Sequence, residues 1–185
     1  MSLVFDSELI SKSSKVLGLF LIPVGGGIPA GVLLGQSEGL SWQFTTLLYF
    51  ISDVILACIF EPILLLIIAA GKNNEKIARM GAAFRKNFQK TIEFYGNNLG
   101  PFTLIMISFG ADPMTGRTAT MVAGHNFFFG WLLAITGDMI FYAIFMASTL
   151  WLNGIIGNTT TTTLIIIGLM IALPVVIKRI KKSKT

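Results

Sequence analysis

Long apolar runs constrain this chain more than any other feature of its sequence. Residues 44–70 form the longest run, and residues 127–152 form a second run of similar length. About 20 consecutive apolar residues span the hydrocarbon core of a bilayer as a helix. Only 12% of the 185 residues are charged and 54% are hydrophobic, which is too little charge to cover a water-facing surface. We therefore expect an all-α integral membrane protein.

The distribution of charge and of metal-ligating residues excludes several functions. The net charge is +5, but 11 of the 14 basic residues fall in two short blocks, 72–90 and 178–184, beside apolar runs. Such blocks are typical of the cytoplasmic flanks of membrane helices, not of a nucleic-acid interface. One cysteine (Cys58) and one histidine (His125) cannot form a disulfide framework or a Cys/His zinc cluster. We expect no metal, no cofactor and no nucleic-acid partner.

The chain also repeats itself at an interval of 82–85 residues. The motif Leu-Gly-x-Phe at 17–20 recurs at 99–102, and Pro29 in one Gly-rich break recurs as Pro113 in another. The motif Asp-x-Ile-x-x-x-Ile-Phe at 53–60 recurs at 138–145. Each half is thus a broken apolar segment followed by a long helix with an aspartate at the same place, which indicates an internal duplication.

The positions of the basic blocks predict the topology of the second half. Both blocks should be cytoplasmic, so an even number of crossings separates them. Residues 127–152 and 164–177 already supply two crossings, so residues 99–124 are predicted to be a re-entrant hairpin that enters and leaves from the cytoplasmic side. Its arms, 102–109 and 116–123, would each be about 12 Å long as helices, which reaches the middle of a core ~30 Å thick.

The duplication extends this topology to the first half. Residues 16–35 are predicted to be a hairpin that enters from the outer face, and 44–70 a transmembrane helix that runs inward. The halves would form an inverted repeat whose hairpin tips meet near the midplane, an arrangement found in secondary transporters. Two alternatives remain open for 16–35. It could cross the membrane outright, or it could belong to a signal peptide, although its Gly-rich, Pro-containing centre would be a poor hydrophobic region for one and no cleavage motif follows.

The expected organisation has four parts. The first repeat covers 1–70 and the second covers 99–152. Between them, 71–98 is predicted to be an amphipathic helix on the cytoplasmic leaflet, because apolar residues recur every three or four positions among basic ones. Residues 153–185 are predicted to form an extra C-terminal transmembrane helix with a cytoplasmic basic tail, and the whole is a multi-pass protein of the cell (inner or plasma) membrane.

Five charged residues lie within or near hydrocarbon depth: Asp53, Glu61, Asp112, Arg117 and Asp138. Each ionised group at a helix centre costs roughly 2.5–3.5 kcal/mol, so these groups must be paired, protonated or facing a wet cavity. The four acids are candidate sites for a coupling proton or cation. Alternatively, Asp53 and Asp138 only cap the opposing hairpins. Glu61, beside Pro62, is expected near the cytoplasmic end and half solvated.

Arg117 is predicted to open the second arm of its hairpin. Its guanidinium and the free backbone amides of a helix N-terminus would then point into one space, which is an arrangement that binds anions. The alternative is a salt bridge from Arg117 to Asp112 or Asp138 without a ligand. No Ser/His/Asp arrangement is recognisable, and the Gly-rich run at 25–31 lacks the Lys-Ser/Thr of a phosphate-binding loop, so we do not expect an enzyme.

Two short motifs resemble known families. Pro113-Met-Thr-Gly-Arg117-Thr118, followed by Ala123-Gly124, resembles the Pro…Arg-Thr…Ala-Gly signature of the DedA (VTT-domain) family. Gly27-Ile-Pro-Ala-Gly31 resembles the Ile-Pro-x-Gly stretch of the small multidrug export proteins. The resemblance covers about 45 residues. Arg117 lies one residue further from Pro113 than in DedA proteins, and Val32 stands where their first hairpin carries an acid.

The resemblance implies movement of an anionic lipid carrier, such as a polyprenyl phosphate or a phospholipid, across the membrane. Gly116, Arg117 and Thr118 of the second hairpin, with Gly27 and Gly31 of the first, are then the candidate substrate-binding residues. We also consider an exporter of small cations or cationic molecules and a non-transporting membrane scaffold. Membrane lipids are the expected partners, and a small bundle of three crossings favours a homodimer that encloses a cavity.

Overall fold

The computed structural model describes residues 7–22, 27–71 and 100–166, together with residues 168, 169 and 172. Its regular structure is entirely helical in these ranges, as expected. The helices are α1 (Ser7–Phe20), α2 (Gly27–Ser37), α3 (Trp42–Gly71), α4 (Pro101–Gly110), α5 (Pro113–Val122), α6 (Phe127–Ile156) and α7 (159–166). The predicted amphipathic linker, the basic tail and most of the predicted C-terminal span lie outside the described residues.

Two of these helices are long and apolar enough to cross a membrane: Trp42–Leu66 within α3, and α6. Only 33% and 17% of their most apolar windows are buried. Large apolar side chains are exposed along both, including Leu47, Ile59, Leu132 and Ile144. Exposed apolar surface on this scale indicates a membrane protein, because a soluble chain rarely leaves such a surface in contact with water.

Both predicted broken segments are pairs of short helices that pack on each other. In the first pair, α1 packs against α2, and in the second, α4 packs against α5. The second break is confined to residues 111–112, since Asp112 has an extended backbone and Pro113 occupies the first turn of α5. Proline suits this position because its missing N–H would have no partner there. The expected breaks, 25–31 and 110–117, were too long, because α2 begins at Gly27 and α5 at Pro113.

The chain divides into two compact units. One combines the described residues up to Ser52 with those from Ala143 onward, and the other runs from Asp53 to Tyr142. In the first unit, α1 and α2 are close, since a Cβ on Gly31 would collide with the ring of Phe20. In that unit Phe20 also makes an edge contact with Tyr49 of α3, with ring centroids 5.1 Å apart.

In the second unit, the remaining parts of α3 and α6 run antiparallel. Asp53 contacts Asp138, Ala57 clusters with Ala134, and Glu61 contacts Trp131, so positions advance on one helix as they fall on the other. The α4–α5 pair packs beside them through a buried cluster of Leu104, Ile107, Ala119 and Leu133. Five of the charged residues singled out above, Asp53, Glu61, Asp112, Arg117 and Asp138, belong to this unit.

Candidate functional site

A buried ion pair between Arg117 of α5 and Glu61 of α3 is the most strongly bonded polar feature in the described part of the second unit. Arg117 Nη2 donates to Glu61 Oε1 over 2.6 Å, and Arg117 Nε donates to Glu61 Oε2 over 2.8 Å. Only 3% of Arg117 and 7% of Glu61 is exposed. This two-pronged geometry is the strongest that arginine and carboxylate form. Glu61 is therefore the partner of Arg117, in place of Asp112 or Asp138, the partners in the salt-bridge alternative. Glu61 is also buried where we expected it to be half solvated.

Trp131 and Thr120 complete this cluster. The indole Nε1 of Trp131 donates to Glu61 Oε2 over 2.9 Å. Arg117 Nη1 donates to Thr120 Oγ1 over 3.3 Å, and Thr120 Oγ1 in turn donates to the Arg117 carbonyl. Both oxygens of Glu61 and both ends of the guanidinium thus have partners, which is what a buried pair requires to be tolerated. We call Glu61, Arg117, Thr120 and Trp131 the ion-pair layer.

Gly130 makes room for the ion-pair layer. A Cβ at Gly130 of α6 would collide with Arg117 Nη1 and lie 2.7 Å from Thr120 Oγ1. Seven residues further along α6, a Cβ at Gly137 would collide with the Ile105 carbonyl and lie 2.8 Å from the Cβ of Ser108. These two glycines share one face of α6, because seven residues are close to two helical turns. They allow α4 and α5 to approach α6 closely enough for Arg117 to reach Glu61.

A second buried polar layer lies further along the same two helices, where Asp53 faces Asp138. Asp53 is 3% exposed and Asp138 is 5% exposed, and their carboxyl groups lie close enough to interact directly. A hydrogen bond between two carboxyl groups requires a proton on one of them. Asp53 Oδ2 is buried and accepts no hydrogen bond from any residue that the structure describes. Such a bond would place one proton on this carboxyl pair, and Asp53 Oδ2 is open to an incoming donor or cation.

The two layers are separated along α3 by the eight residues from Asp53 to Glu61, about 12 Å of helix. Ala57 and Ala134 lie between the two layers and pack against Trp131 of the ion-pair layer. Both carboxyl groups of the second layer, and Glu61 and Trp131 of the first, lie in the two helices that are apolar enough to cross a membrane, whereas Arg117 and Thr120 lie on the ten-residue helix α5. The arrangement can accept an anion at an arginine and a proton or cation at a carboxyl pair.

Three other predicted site residues of the second unit have structural roles. Asp112 is exposed and caps α5: its Oδ1 accepts from the Thr115 amide over 2.8 Å, and its Oδ2 accepts from the Thr115 hydroxyl. The Thr118 hydroxyl donates to the Met114 carbonyl, and Gly116 is packed against Ser108. Arg117 lies in the second turn of α5 and does not open the helix as expected. The amides of the first turn are already used, because the Thr115 amide donates to the Asp112 side chain and the Gly116 amide donates to the Asp112 carbonyl. These amides therefore do not form an anion site together with the Arg117 guanidinium.

The glycines predicted in the first hairpin are packing residues in the first unit. A Cβ at Gly27 would lie 2.8 Å from the Leu19 carbonyl, and one at Gly31 would meet the Phe20 ring. Both close contacts are between α1 and α2, the arms of the first hairpin. Among the described residues, no group of three His, Cys, Asp or Glu side chains is placed to hold a metal ion.

Sequence reasoning missed Trp131, Thr120 and Gly130. Trp131 looks like one more aromatic residue in an apolar run, and nothing local shows that its N–H needs an acceptor. Gly130 did carry a signal, because a glycine inside a long helix lowers helix stability and so suggests close packing.

No family model, no curated protein and no solved structure matches this chain.

Proposed function

We propose that this protein is a small secondary transporter or lipid translocase that moves an anionic substrate across a membrane, coupled to a proton or cation. The observation that carries the proposal is the pair of buried polar layers on α3 and α6, the two helices long enough to span a bilayer, with Arg117 joining one layer from the short helix α5. Ionisable groups at membrane depth are costly, so they are kept where they bind or carry something. In this proposal the arginine of one layer binds the anion, and the carboxyl pair of the other layer binds the coupling proton or cation.

Arg117 is the anion-binding group in this proposal. Glu61 presents two oxygens to its guanidinium, as a phosphate or carboxylate of a substrate would. A substrate anion therefore replaces Glu61, which keeps Arg117 paired while no substrate is bound. The displaced Glu61 takes up a proton in this exchange and keeps its bond from Trp131, because an unpaired buried carboxylate is what makes a broken buried ion pair so unfavourable.

The carboxyl pair is the coupling site in this proposal. The proton shared by Asp53 and Asp138 can leave when the cavity opens to one side and return when it opens to the other. The free Oδ2 of Asp53 gives the pair a position for a second proton or a small cation. This role and the anion role of Arg117 need not be filled by the same residues, since the two layers are separate along α3.

The contact between the two aspartates supports the proposed inverted repeat. Asp53 and Asp138 are equivalent through the offset of 85 residues, and they touch each other across antiparallel helices. Equivalent residues of two inverted halves meet only at the pseudo-two-fold axis that relates those halves. The proposed topology has α3 running inward and α6 outward, with each broken segment as a re-entrant hairpin entering from its own side.

The resemblance to DedA and small multidrug export proteins suggests the substrate class. We propose a polyprenyl phosphate or a phospholipid headgroup as the anion, and the cell membrane as the location. The linker and C-terminus would be cytoplasmic, and a homodimer would help to enclose the pathway. No metal, organic cofactor or covalent catalysis enters this proposal.

A second candidate is an exporter of small cations or cationic molecules. It is favoured by the Glu61 carboxylate, which already neutralises Arg117, because a neutralised arginine leaves the carboxyl pair as the open binding group. In this case the cation binds between Asp53 and Asp138, and Arg117 is a permanent counter-ion of Glu61.

Flux measurements in vesicles distinguish these candidates. Purified protein is reconstituted in phosphatidylcholine vesicles, and movement of fluorescent phosphatidylglycerol is followed with and without a proton gradient. We expect gradient-dependent movement that Arg117→Lys slows roughly tenfold or more, because lysine cannot reproduce the two-pronged contact. Asp53→Asn combined with Asp138→Asn should leave movement insensitive to the gradient. The matched control is Lys15→Gln, which removes an exposed positive charge in the first unit.

Each candidate gives a different result in these vesicles. Normal lipid movement in Arg117→Lys contradicts the anion role of Arg117. Loss of ethidium export in the double aspartate variant, with no lipid movement in the wild type, supports the cation exporter. If neither probe moves, the result supports the hypothesis of a non-transporting membrane scaffold.

A further inference from the structure

The first unit contains a cavity of about 200 Å³ between α2, α3 and α6. Apolar side chains supply most of its lining, among them Val32, Trp42, Met146 and Leu150. Gln36 and Thr45 supply the polar groups, and both are already bonded: Gln36 Oε1 accepts from the Asn153 amide, and the Thr45 hydroxyl donates to the Ser41 carbonyl. None of the residues that line the cavity is charged.

The repeat relates this cavity to the ion-pair layer of the second unit. Adding 85 to Thr46 gives Trp131, and adding 85 to Glu61 gives Met146. In the second unit Trp131 Nε1 donates to Glu61, and in the first unit the Thr46 hydroxyl contacts Met146 Sδ over 3.7 Å. The same pair of positions is therefore in contact in each half of the repeat.

A second contact follows the same offset. Gly35 and Thr45 correspond to Thr120 and Gly130. A Cβ at Gly130 would lie 2.7 Å from Thr120 Oγ1, and a Cβ at Gly35 would lie 2.7 Å from Thr45 Oγ1. Small and larger residues have changed places, but the close approach of the two helices is kept.

The offset then identifies what replaces the ion pair. Met146 stands at the position of Glu61, and the offset of 85 that relates Gly35 to Thr120 on the same helix places Val32 at the position of Arg117, although Pro29 and Pro113 are 84 residues apart. Val32 and Met146 both line the cavity. A long charged side chain in the second unit corresponds to a short apolar one in the first. The two positions hold an ion pair in the second unit, and in the first unit they hold apolar side chains that line an open cavity.

We propose that this cavity is a binding site for a hydrocarbon chain of a membrane lipid. An apolar cavity of about 150 Å³ is large enough to hold a benzene ring, so 200 Å³ accommodates several methylene groups. A charged ligand finds no counter-charge in the lining, and the Gln36 carbonyl oxygen and the Thr45 hydroxyl proton are already bonded. Burial of an apolar chain needs no such partner.

The location of the cavity indicates a membrane lipid as the source of the chain. Its walls include the first turn of α3 and the last third of α6, both within the candidate spans. Trp42, which begins the span of α3, is 58% exposed, and tryptophan at the end of a span favours the headgroup level of a bilayer. A lipid that enters beside Trp42 keeps its headgroup at the interface while one chain lies between Val32 and Met146.

Photolabelling with a modified lipid tests this site directly. The full chain is reconstituted in vesicles that contain phosphatidylcholine with a diazirine in one acyl chain, irradiated, and mapped by peptide mass spectrometry. Lipid that only surrounds the protein labels exposed side chains such as Leu164. We expect additional adducts on Val32 and Thr45, which are 2% exposed and line the cavity, and none on Leu104, which is fully buried elsewhere.

A variant that fills the cavity provides the matched comparison. Leu150→Trp should lower the adducts on Val32 and Thr45 about fivefold, because a filled cavity no longer admits the chain. The control Ile155→Trp lies on α6 outside the lining and should leave them unchanged. Adducts confined to exposed side chains in the wild type would overturn the proposal and would mean that another protein segment or a second copy closes the cavity. Unchanged adducts in a folded Leu150→Trp protein would overturn it as well.

The readout is covalent labelling, so it does not depend on transport. The proposed anion and proton sites lie in the second unit and can fail without affecting this result.

Discussion

Arg117 is tolerated as a buried charge in the second unit because all three of its guanidinium nitrogens have hydrogen-bond acceptors. Two of them donate to Glu61 and the third donates to Thr120. Trp131 adds a donor to the same carboxylate. The pair as a whole need not be more stable than apolar residues of similar volume. Removing one partner is different, since the other is then buried and alone.

The other half of the repeat suggests a variant that separates these two effects. Glu61→Met or Arg117→Val alone should lower the free energy of unfolding by about 3–5 kcal/mol, the usual result of leaving one buried charge unpaired. The double variant introduces the residues found at the corresponding positions, Met146 and Val32, and should recover most of that loss. Chemical unfolding in detergent micelles, followed by circular dichroism, measures all three.

The comparison has a clear negative outcome. If the double variant loses as much stability as the sum of the two single variants, Glu61 and Arg117 do not act as a pair. The residues found at the corresponding positions of the other half then do not substitute for the ion pair. The double variant should in any case lose anion movement, because it has no cation at the site.

At the residue scale the sequence predicted which charged residues belong to the apolar part of the chain better than it predicted their partners. Charge at membrane depth identified Arg117, Glu61, Asp53 and Asp138, all of which are buried. Arg117 and Glu61 are 56 residues apart in the chain, and no local pattern gives the register between α3 and α5. The indole N–H of Trp131 was missed because its need for an acceptor becomes visible only once its surroundings are known.

At the scale of the elements, close packing depends on glycines that face the α4–α5 pair from α6. Gly130→Ala should lower the free energy of unfolding by about 1–3 kcal/mol, because the added Cβ collides with the Arg117 guanidinium in a packed interior. The matched control is Gly154→Ala on the same helix, whose Cβ would meet nothing within 4 Å. That change should be neutral or stabilise by up to about 1 kcal/mol through helix propensity.

Thermal unfolding of the two variants in the same detergent checks this expectation. Equal melting temperatures for Gly130→Ala and Gly154→Ala would show that α5 and α6 can separate without loss, and that Gly130 does not position Arg117. A loss of lipid movement in Gly130→Ala alone would add evidence that the guanidinium must stay in place.

The limits of the helices show how far local patterns reach. All four ends of the two long helices were predicted within four residues of their observed positions, because apolar length is a strong signal. The starts of α2 and α5 were placed too late, since glycine and proline were read as breaks. In α5 the Asp112–Pro113 pair is a helix start: aspartate caps the amide of Thr115, and proline fits the first turn.

At the scale of the whole molecule, the repeat accounts for features of both units that neither explains alone. It relates Asp53 to Asp138, and the ion-pair layer to the apolar cavity, through one offset of 85 residues. The offset was visible in the sequence. The sequence did not show that an apolar site replaces the charged pair, because this depends on which residues of different helices are in contact.

The first unit also contains contacts that agree with the proposed topology. The Asn153 amide donates to Gln36 Oε1 over 3.0 Å, and Lys15 Nζ lies 3.4 Å from Glu38 Oε1. The end of α2 and the end of α6 are therefore neighbours. In the proposed topology both lie outside the cell, as does Ser7 at the start of the first hairpin.

Accessibility labelling of single cysteines tests the central claim, that the two hairpins enter the membrane from opposite sides. In a chain with Cys58 replaced by serine, cysteines at Ser7, Gln36 and Asn153 should react in intact cells with a membrane-impermeant maleimide. A cysteine at Asn126, beyond the second hairpin, should react only after the membrane is opened. A cysteine at Ser7 that is protected in intact cells and reactive in opened ones would contradict the inverted repeat and the transport mechanism that rests on it.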